Sequence, residues 1–331
     1  MVNENPKDDI KYKSIFLSGM KNIFKSTEFT ISAVVILVVI ILSIATPNFM
    51  TSYNISTFIR QISFFTIVAF GQTLVLITGG IDLSVGSVAA ICAMIASWLM
   101  VNTSIDAYIC ILIGIAIGAS IGAINGLFIA KLKINAFIMT LAIGEICAGF
   151  VMVLTKGRTI IGIPQKAIFL GQGVLGRIPL PVIYMITLTI ILAYILRNTP
   201  FGRFIYAIGD NESAGRLVGI KIDKVKITVY VIAGALAAFA GIMFVCRLST
   251  GQPTIGQEWL LPSATAAIIG GTSLSGGQGG VIGTLIGAVL MGILTNAIVL
   301  LNVSSYWQKV VIGFVVLIAV VFDQLKTRKR G

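Results

Sequence analysis

The chain has 331 residues, a net charge of +12, 57% hydrophobic residues and only 11% charged ones. Soluble domains carry about 25% charged residues, so this supply cannot cover a water-facing surface. An ordinary soluble enzyme, a disordered chain and a secreted disulfide scaffold are excluded, and an all-α polytopic membrane protein remains. His is absent, which removes the commonest general base and metal ligand. Cys92, Cys110, Cys147 and Cys246 form no C-x-x-C pair, so neither a catalytic nor a metal site is expected. The basic excess sits in the N-terminal tail, in 197–226 and in the last six residues rather than among aromatics. It therefore points to membrane orientation and not to nucleic acid.

A crossing needs about 20 mostly apolar residues. The first run, 30–46, follows a polar tail and reads as an uncleaved anchor. Further runs lie near 62–78, 84–101, 107–129, 134–154 and 180–196; then, after a polar stretch, at 227–246, 260–274, 280–301 and 306–322. The eighth of these ten is the shortest. With the N-terminus inside, 17 of the 24 Lys and Arg fall on inside segments, which predicts two cytoplasmic termini. The expected organisation is a cytoplasmic tail over 1–29, one transmembrane domain over 30–323 and a basic tail over 324–331. The segment 155–179 falls outside on this count, yet it carries Lys156, Arg158, Lys166 and Arg177 without an acid.

Two short strings echo one another. GGIDLS at 79–84 and GGTSLS at 270–275 both lie between apolar runs on the inner side. Gly79, Gly80, Gly270, Gly271, Gly276 and Gly277 read as tight turns, and Asp82 as a cap for the third span. The string LSGGQ at 274–278 matches a nucleotide-contacting signature of ATPases. No G-x-x-x-x-G-K-[ST] accompanies it, and it reads as a Gly-rich connection between membrane helices. Gly114, Gly118 and Gly122, like Gly283, Gly287 and Gly292, have spacings suited to close helix packing.

Between spans six and seven, residues 197–226 hold nine charges. Within them Asn211 to Ile220 predicts a short capped helix, with Asn211 as N-cap, Ala214, Leu217 and Val218 on one face and Gly219 as the stop. Such a helix, exposed and lacking a partner in its own chain, suits docking to another protein. Polar groups at membrane depth are costly, so Gln72, Thr73, Asn125, Glu145 and Asn296 are candidates for a solute path. The competing reading is interhelical hydrogen bonding, worth about 0.6–2 kcal/mol each.

Four spaced blocks carry a resemblance: GQTLVLITGGIDLSVGSV (71–88), INGLFIAKLKINAFIMTLA (124–142), GRFIYAIGDNESAGRLVGIKI (202–222) and GGTSLSGGQGGVIGTLIGAVLMGIL (270–294). SSYWQKVVIGFVVLIAVVFD (304–323) closes the series. The chain resembles the membrane permease of carbohydrate-importing ABC transporters, in the ribose/xylose/galactose-type branch. It departs from many relatives at Asn135-Ala136, where they carry Pro, and at Asp210, where they carry Gly. The resemblance implies a bacterial inner-membrane protein with no cofactor of its own. Its partners would be a second permease chain, a cytoplasmic ATPase that binds ATP and Mg, and an extracytoplasmic sugar-binding protein. It also implies that Gly202, Arg203, Gly209, Asn211, Ala214, Arg216, Gly219 and Ile220 contact the ATPase. An ion-coupled carrier using Glu145 or Asp82 is the alternative.

Overall fold

A computed structural model describes residues 27–304 and 306–328. Most of the expected tail 1–29 lies outside the described residues. The helices are α1 (Thr27–Ala45), α2 (Ser52–Ile77), α3 (Val85–Asn102), α4 (Ala107–Lys131), α5 (Ala136–Thr155), α6 (Gln165–Gln172) and α7 (Leu180–Asn198). They continue with α8 (Pro200–Asp210), α9 (Glu212–Leu217), α10 (Ile222–Leu248), α11 (Leu260–Ile269), α12 (Val281–Leu300) and α13 (Tyr306–Arg328). Eight of them, α1 to α5, α7, α10 and α12, are long and apolar enough to cross a membrane. The chain is thus an all-α polytopic membrane protein.

Three of the ten expected spans come out differently, the first being the run 62–78, whose helix α2 already starts at Ser52. The run 260–274 forms a helix of only 10 residues, a rise of roughly 15 Å, half the hydrocarbon thickness of about 30 Å. Gly270 ends it, and Gly271 follows at φ +93°. The last span, α13, has its apolar part over Tyr306–Val321 and continues as helix past Asp323 to Arg328.

Polar side chains at the ends set the helix boundaries. Thr51 accepts from Asn54 N at 3.3 Å to open α2, and Asp106 accepts from Tyr108 N at 2.9 Å to open α4. Asn135, at the departure from Pro, accepts from Phe137 N at 2.9 Å and caps α5. Each cap satisfies a backbone donor that the helix itself leaves unpaired.

α2 and α10 form the centre, most of each buried. α4 lies along α10 because glycines remove the side chains between them: a Cβ at Gly118 would meet Ala238, and one at Gly122 would meet the backbone of Tyr230. The expected small-residue packing is therefore real. The 155–179 segment is folded rather than extended. It contains α6 and one short ladder, β2 (Val174–Leu175) with β3 (Ile178–Pro179), and its β1 (Ile160–Ile161) pairs with β4 (Thr250–Gly251) just after α10. Lys166 Nζ lies 3.8 Å from Asp106 Oδ2, so one of the segment's four cations does have an acid nearby. That acid comes from the α3–α4 loop, which the segment's own sequence does not contain.

Candidate functional site

The 197–226 segment builds two helices where one was expected. Thr199 accepts from Gly202 N at 3.2 Å and Pro200 occupies the first turn, which starts α8. α8 buries Gly202, Ile205 and Ile208 against the bundle and leaves Arg203 exposed. Near its end Gly209 abuts the Ile77 carbonyl and Gly277 N, leaving no room for a Cβ. Gly277 N donates to Ile77 O at 2.9 Å, and the Tyr206 hydroxyl donates to Gly279 O at 2.8 Å. One amphipathic helix thus holds both Gly-rich turns together. Residues 78–84 and 270–280 lie at the same end of the molecule, as the order of the apolar runs implied.

α9 follows immediately. Asn211 accepts from Ala214 N at 2.9 Å, Ile220 N donates to Gly215 O at 3.1 Å, and Gly219 takes φ +83°. The predicted cap and stop are both present. Ala214 and Arg216 are exposed, as are Leu217 at 89% and Val218 at 78%. Apolar side chains this open have no cover among the described residues. Glu212 fixes the helix to its surroundings: its carboxylate lies 2.6 Å from Lys226 Nζ, 3.2 Å from Lys133 Nζ and 3.5 Å from Arg216 Nη2. The Lys226 hydrogen bond, above all, holds this carboxyl below the usual range.

The first Gly-rich turn is a polar knot. Gly79 takes φ +75°, and Gly80 lies under the Tyr230 hydroxyl. Asp82, 1% exposed, accepts from Ser84 N at 2.8 Å and Ser84 Oγ at 2.6 Å. Burial pushes its carboxyl up, while the Ser84 bonds oppose that. The residue at the N-cap position of α3 is Ser84, so Asp82 braces the cap from two residues upstream and is not the cap itself. Gln72 Nε2 donates to Asp82 O at 2.6 Å, and Asn125 Nδ2 donates to Ser84 Oγ at 3.0 Å.

The second turn connects α11 to α12. A Cβ at Gly270 would strike Gly283, while Gly276 (φ +85°) and Gly277 (φ +72°) crowd Gly209 and Asp210. LSGGQ is thus a structural turn here. Thr73 and Thr284 hydroxyls, 2.6 Å apart, join α2 to α12 next to it.

The five mid-span polar residues separate into three groups. Gln72, Thr73 and Asn125 are buried and bonded inside the chain. Asn296 lies at the opposite end, paired with Asn54 at 3.0–3.2 Å. Glu145 stands on the outer face of α5 among exposed Leu141, Ala142, Ile146 and Gly149, with no partner among the described residues. α8 is the element that the sequence did not reveal, and Thr199-Pro200 followed by Phe201, Phe204, Ile205 and Ile208 was the available signal.

The bundle is thus a polytopic membrane protein whose two Gly-rich turns are gathered at one end under an amphipathic helix. Residues 54–320 match the family described as branched-chain amino acid transport system / permease component, and the chain belongs to that family. It is 43% identical to the ribose import permease protein RbsC of Bacillus subtilis (strain 168), over 88% of this chain and 91% of the relative. The same protein of Escherichia coli (strain K12) is also 43% identical, over 89% and 93%. The L-arabinose ABC transporter permease protein AraH of Azospirillum brasilense is 33% identical, over 87% and 85%. No solved structure matches the chain.

Proposed function

We propose that the chain forms the translocation pathway for a sugar such as ribose or a related monosaccharide. It is a permease subunit of an ATP-driven importer and not an enzyme. In this reading it sits in the bacterial inner membrane and works with an ATPase and a sugar-binding protein. ATP and Mg belong to the ATPase, and this chain binds no cofactor. Family membership and two ribose-permease relatives over most of the chain support the assignment.

The observation that carries the coupling mechanism is α9, whose exposed Leu217 and Val218 stand on a helix anchored through Glu212. Closing of the ATPases pushes on α9; α8 passes the displacement to both Gly-rich turns, and the spans tilt between inward-open and outward-open states. In this reading both termini and the 197–226 segment are cytoplasmic, and the stretch from the end of α10 to Gly270, α11 included, completes the eighth of ten crossings. The transmembrane unit comprises 30–323, flanked by the tails 1–29 and 324–331.

Glu145 supports a second permease chain. A carboxylate near the middle of α5 is roughly 15 Å from either end and costs about 2.5–3.5 kcal/mol or more if it faces lipid. A partner copy on that face, with a watery path between the two, removes the cost. Gln72, Thr73 and Asn125 in this reading stabilise the turns, and Glu145 faces the path.

The test is uptake of radiolabelled ribose into proteoliposomes holding the permease, its ATPase and its binding protein. Uptake should require ATP on the ATPase side and persist when an uncoupler collapses the ion gradients. Uptake that needs a gradient and ignores ATP would mark an ion-coupled carrier and overturn the reading.

A further inference from the structure

At the end of the bundle opposite α8 and α9, a cavity of about 600 Å³ opens between α2, α12, the residues just before α11 and the start of α13. This volume lies within the range of small-molecule sites, roughly 300–1,000 Å³. Its polar wall comes mainly from two helices. Asn54, Thr57 and Gln61 form a stripe at helical spacing on α2, and Thr295 and Asn296 come from α12. Glu258 and Trp259 join from the loop before α11.

The cavity is graded along its depth. Phe65 and Met291 line it further from the helix ends than Asn54 and Asn296 do. Where Gly292 faces Ile62 and Phe58, α2 and α12 touch with no room for a Cβ. Asn54 and Asn296 are held by reciprocal amide bonds of 3.2 and 3.0 Å, and Asn54 Nδ2 also donates to Phe49 O at 2.9 Å. Asn296 is thereby oriented while its amide keeps hydrogen-bonding capacity to spare.

The lining chemistry selects the ligand. Among the described lining residues none is Lys or Arg, and Glu258 is the single carboxylate, so phosphorylated or carboxylated solutes find no counter-charge. An acyl chain would strip water from the amides and hydroxyls without replacing their hydrogen bonds. A neutral polyol fits both parts, with amides and hydroxyls meeting its hydroxyl groups and Trp259 covering its C–H face.

We propose that this cavity is a receiving site for one neutral monosaccharide, built within a single chain and occupied before the crossing begins. The inference rests on the sugar-importer reading, and the experiment separates the two. The full complex is prepared with Trp98→Phe and Trp307→Phe, both positions being exposed, so that Trp259 is the sole permease tryptophan. A Trp-free ATPase, with the binding protein omitted, keeps the signal specific. D-ribose, D-xylose, L-arabinose and D-galactose are titrated, with ribose 5-phosphate and lauric acid as contrasts, and uptake of the same sugars is measured in parallel.

Expected is a saturable change in Trp259 emission with at least one imported sugar and none with ribose 5-phosphate. Gln61→Leu or Glu258→Gln should weaken that response at least tenfold. Both side chains are exposed, so the fold tolerates the changes. If a sugar is imported but leaves Trp259 silent, or if lauric acid alone shifts it, the cavity is no sugar site while the importer reading stands. If no sugar is imported with ATP present, the importer reading itself fails.

Discussion

A Cβ at Gly122 would run into the Tyr230 carbonyl, whereas one at Gly313 would meet nothing within 4 Å. The two glycines look alike in sequence, since each interrupts an apolar helix. Ala is the better helix former by about 1 kcal/mol, while overpacking a fitted contact costs about 1–3 kcal/mol. Gly313→Ala should therefore leave the melting temperature of the purified permease unchanged or slightly raised, and Gly122→Ala should lower it by several degrees. Equal behaviour of the two variants in a thermal-shift assay would contradict the α4–α10 packing. The same limit governs the polar residues. Gln72, Asn125 and Glu145 all read as mid-span polar groups. Which one is buried and bonded is decided by the helix face that meets a neighbour, and hydropathy is blind to that once both faces are apolar.

At the scale of elements, α9 was legible because its start and stop are chemical: Asn211 caps it, and Gly219 supplies a positive φ that other residues resist. α8 was hidden because Arg203 and Asp210 made its surroundings look like solvated loop, although its apolar residues recur at helical spacing. The ladders of the 155–179 segment are two residues long and leave no periodicity to detect. Glu212 ties α9 to Lys226 on α10 and to Lys133 before α5. Its folded pKa is depressed, so the tie is present above the ordinary carboxylate range and is lost as pH falls through the lowered value. Hydrogen exchange of the 212–218 amides should be slow and its protection constant between pH 6 and 8. Glu212→Gln should raise exchange in that segment at pH 7. Protection unaffected by the substitution would show that α9 is held by other contacts.

For the molecule as a whole, the eight long apolar helices and the gathering of the two Gly-rich turns at one end were readable from the apolar runs and their order. The half-length of α11 was foreshadowed only by brevity, because Gly270 and Gly283 lie far apart in the sequence and meet only in the fold. Of the cavity at the opposite end only Asn296 was legible, since the stripe on α2 becomes a wall only when α12 and α13 close around it. Orientation is open to direct test. All four native cysteines are buried, and in a background lacking them Lys221→Cys should resist an impermeant thiol reagent in intact cells while Lys156→Cys reacts. Reversed labelling would invert the assignment.

The central claim is that α9 transmits the ATPase stroke. Ala214→Trp adds bulk to its exposed surface without touching the Asn211 cap bond, which uses the Ala214 backbone. The deciding measurement is co-purification of the ATPase with this variant, together with ATP-driven sugar uptake in proteoliposomes. The variant should insert and fold normally, retain less than a tenth of wild-type uptake, and lose the ATPase or its stimulation by the sugar-loaded binding protein. Normal co-purification with normal uptake would contradict the account.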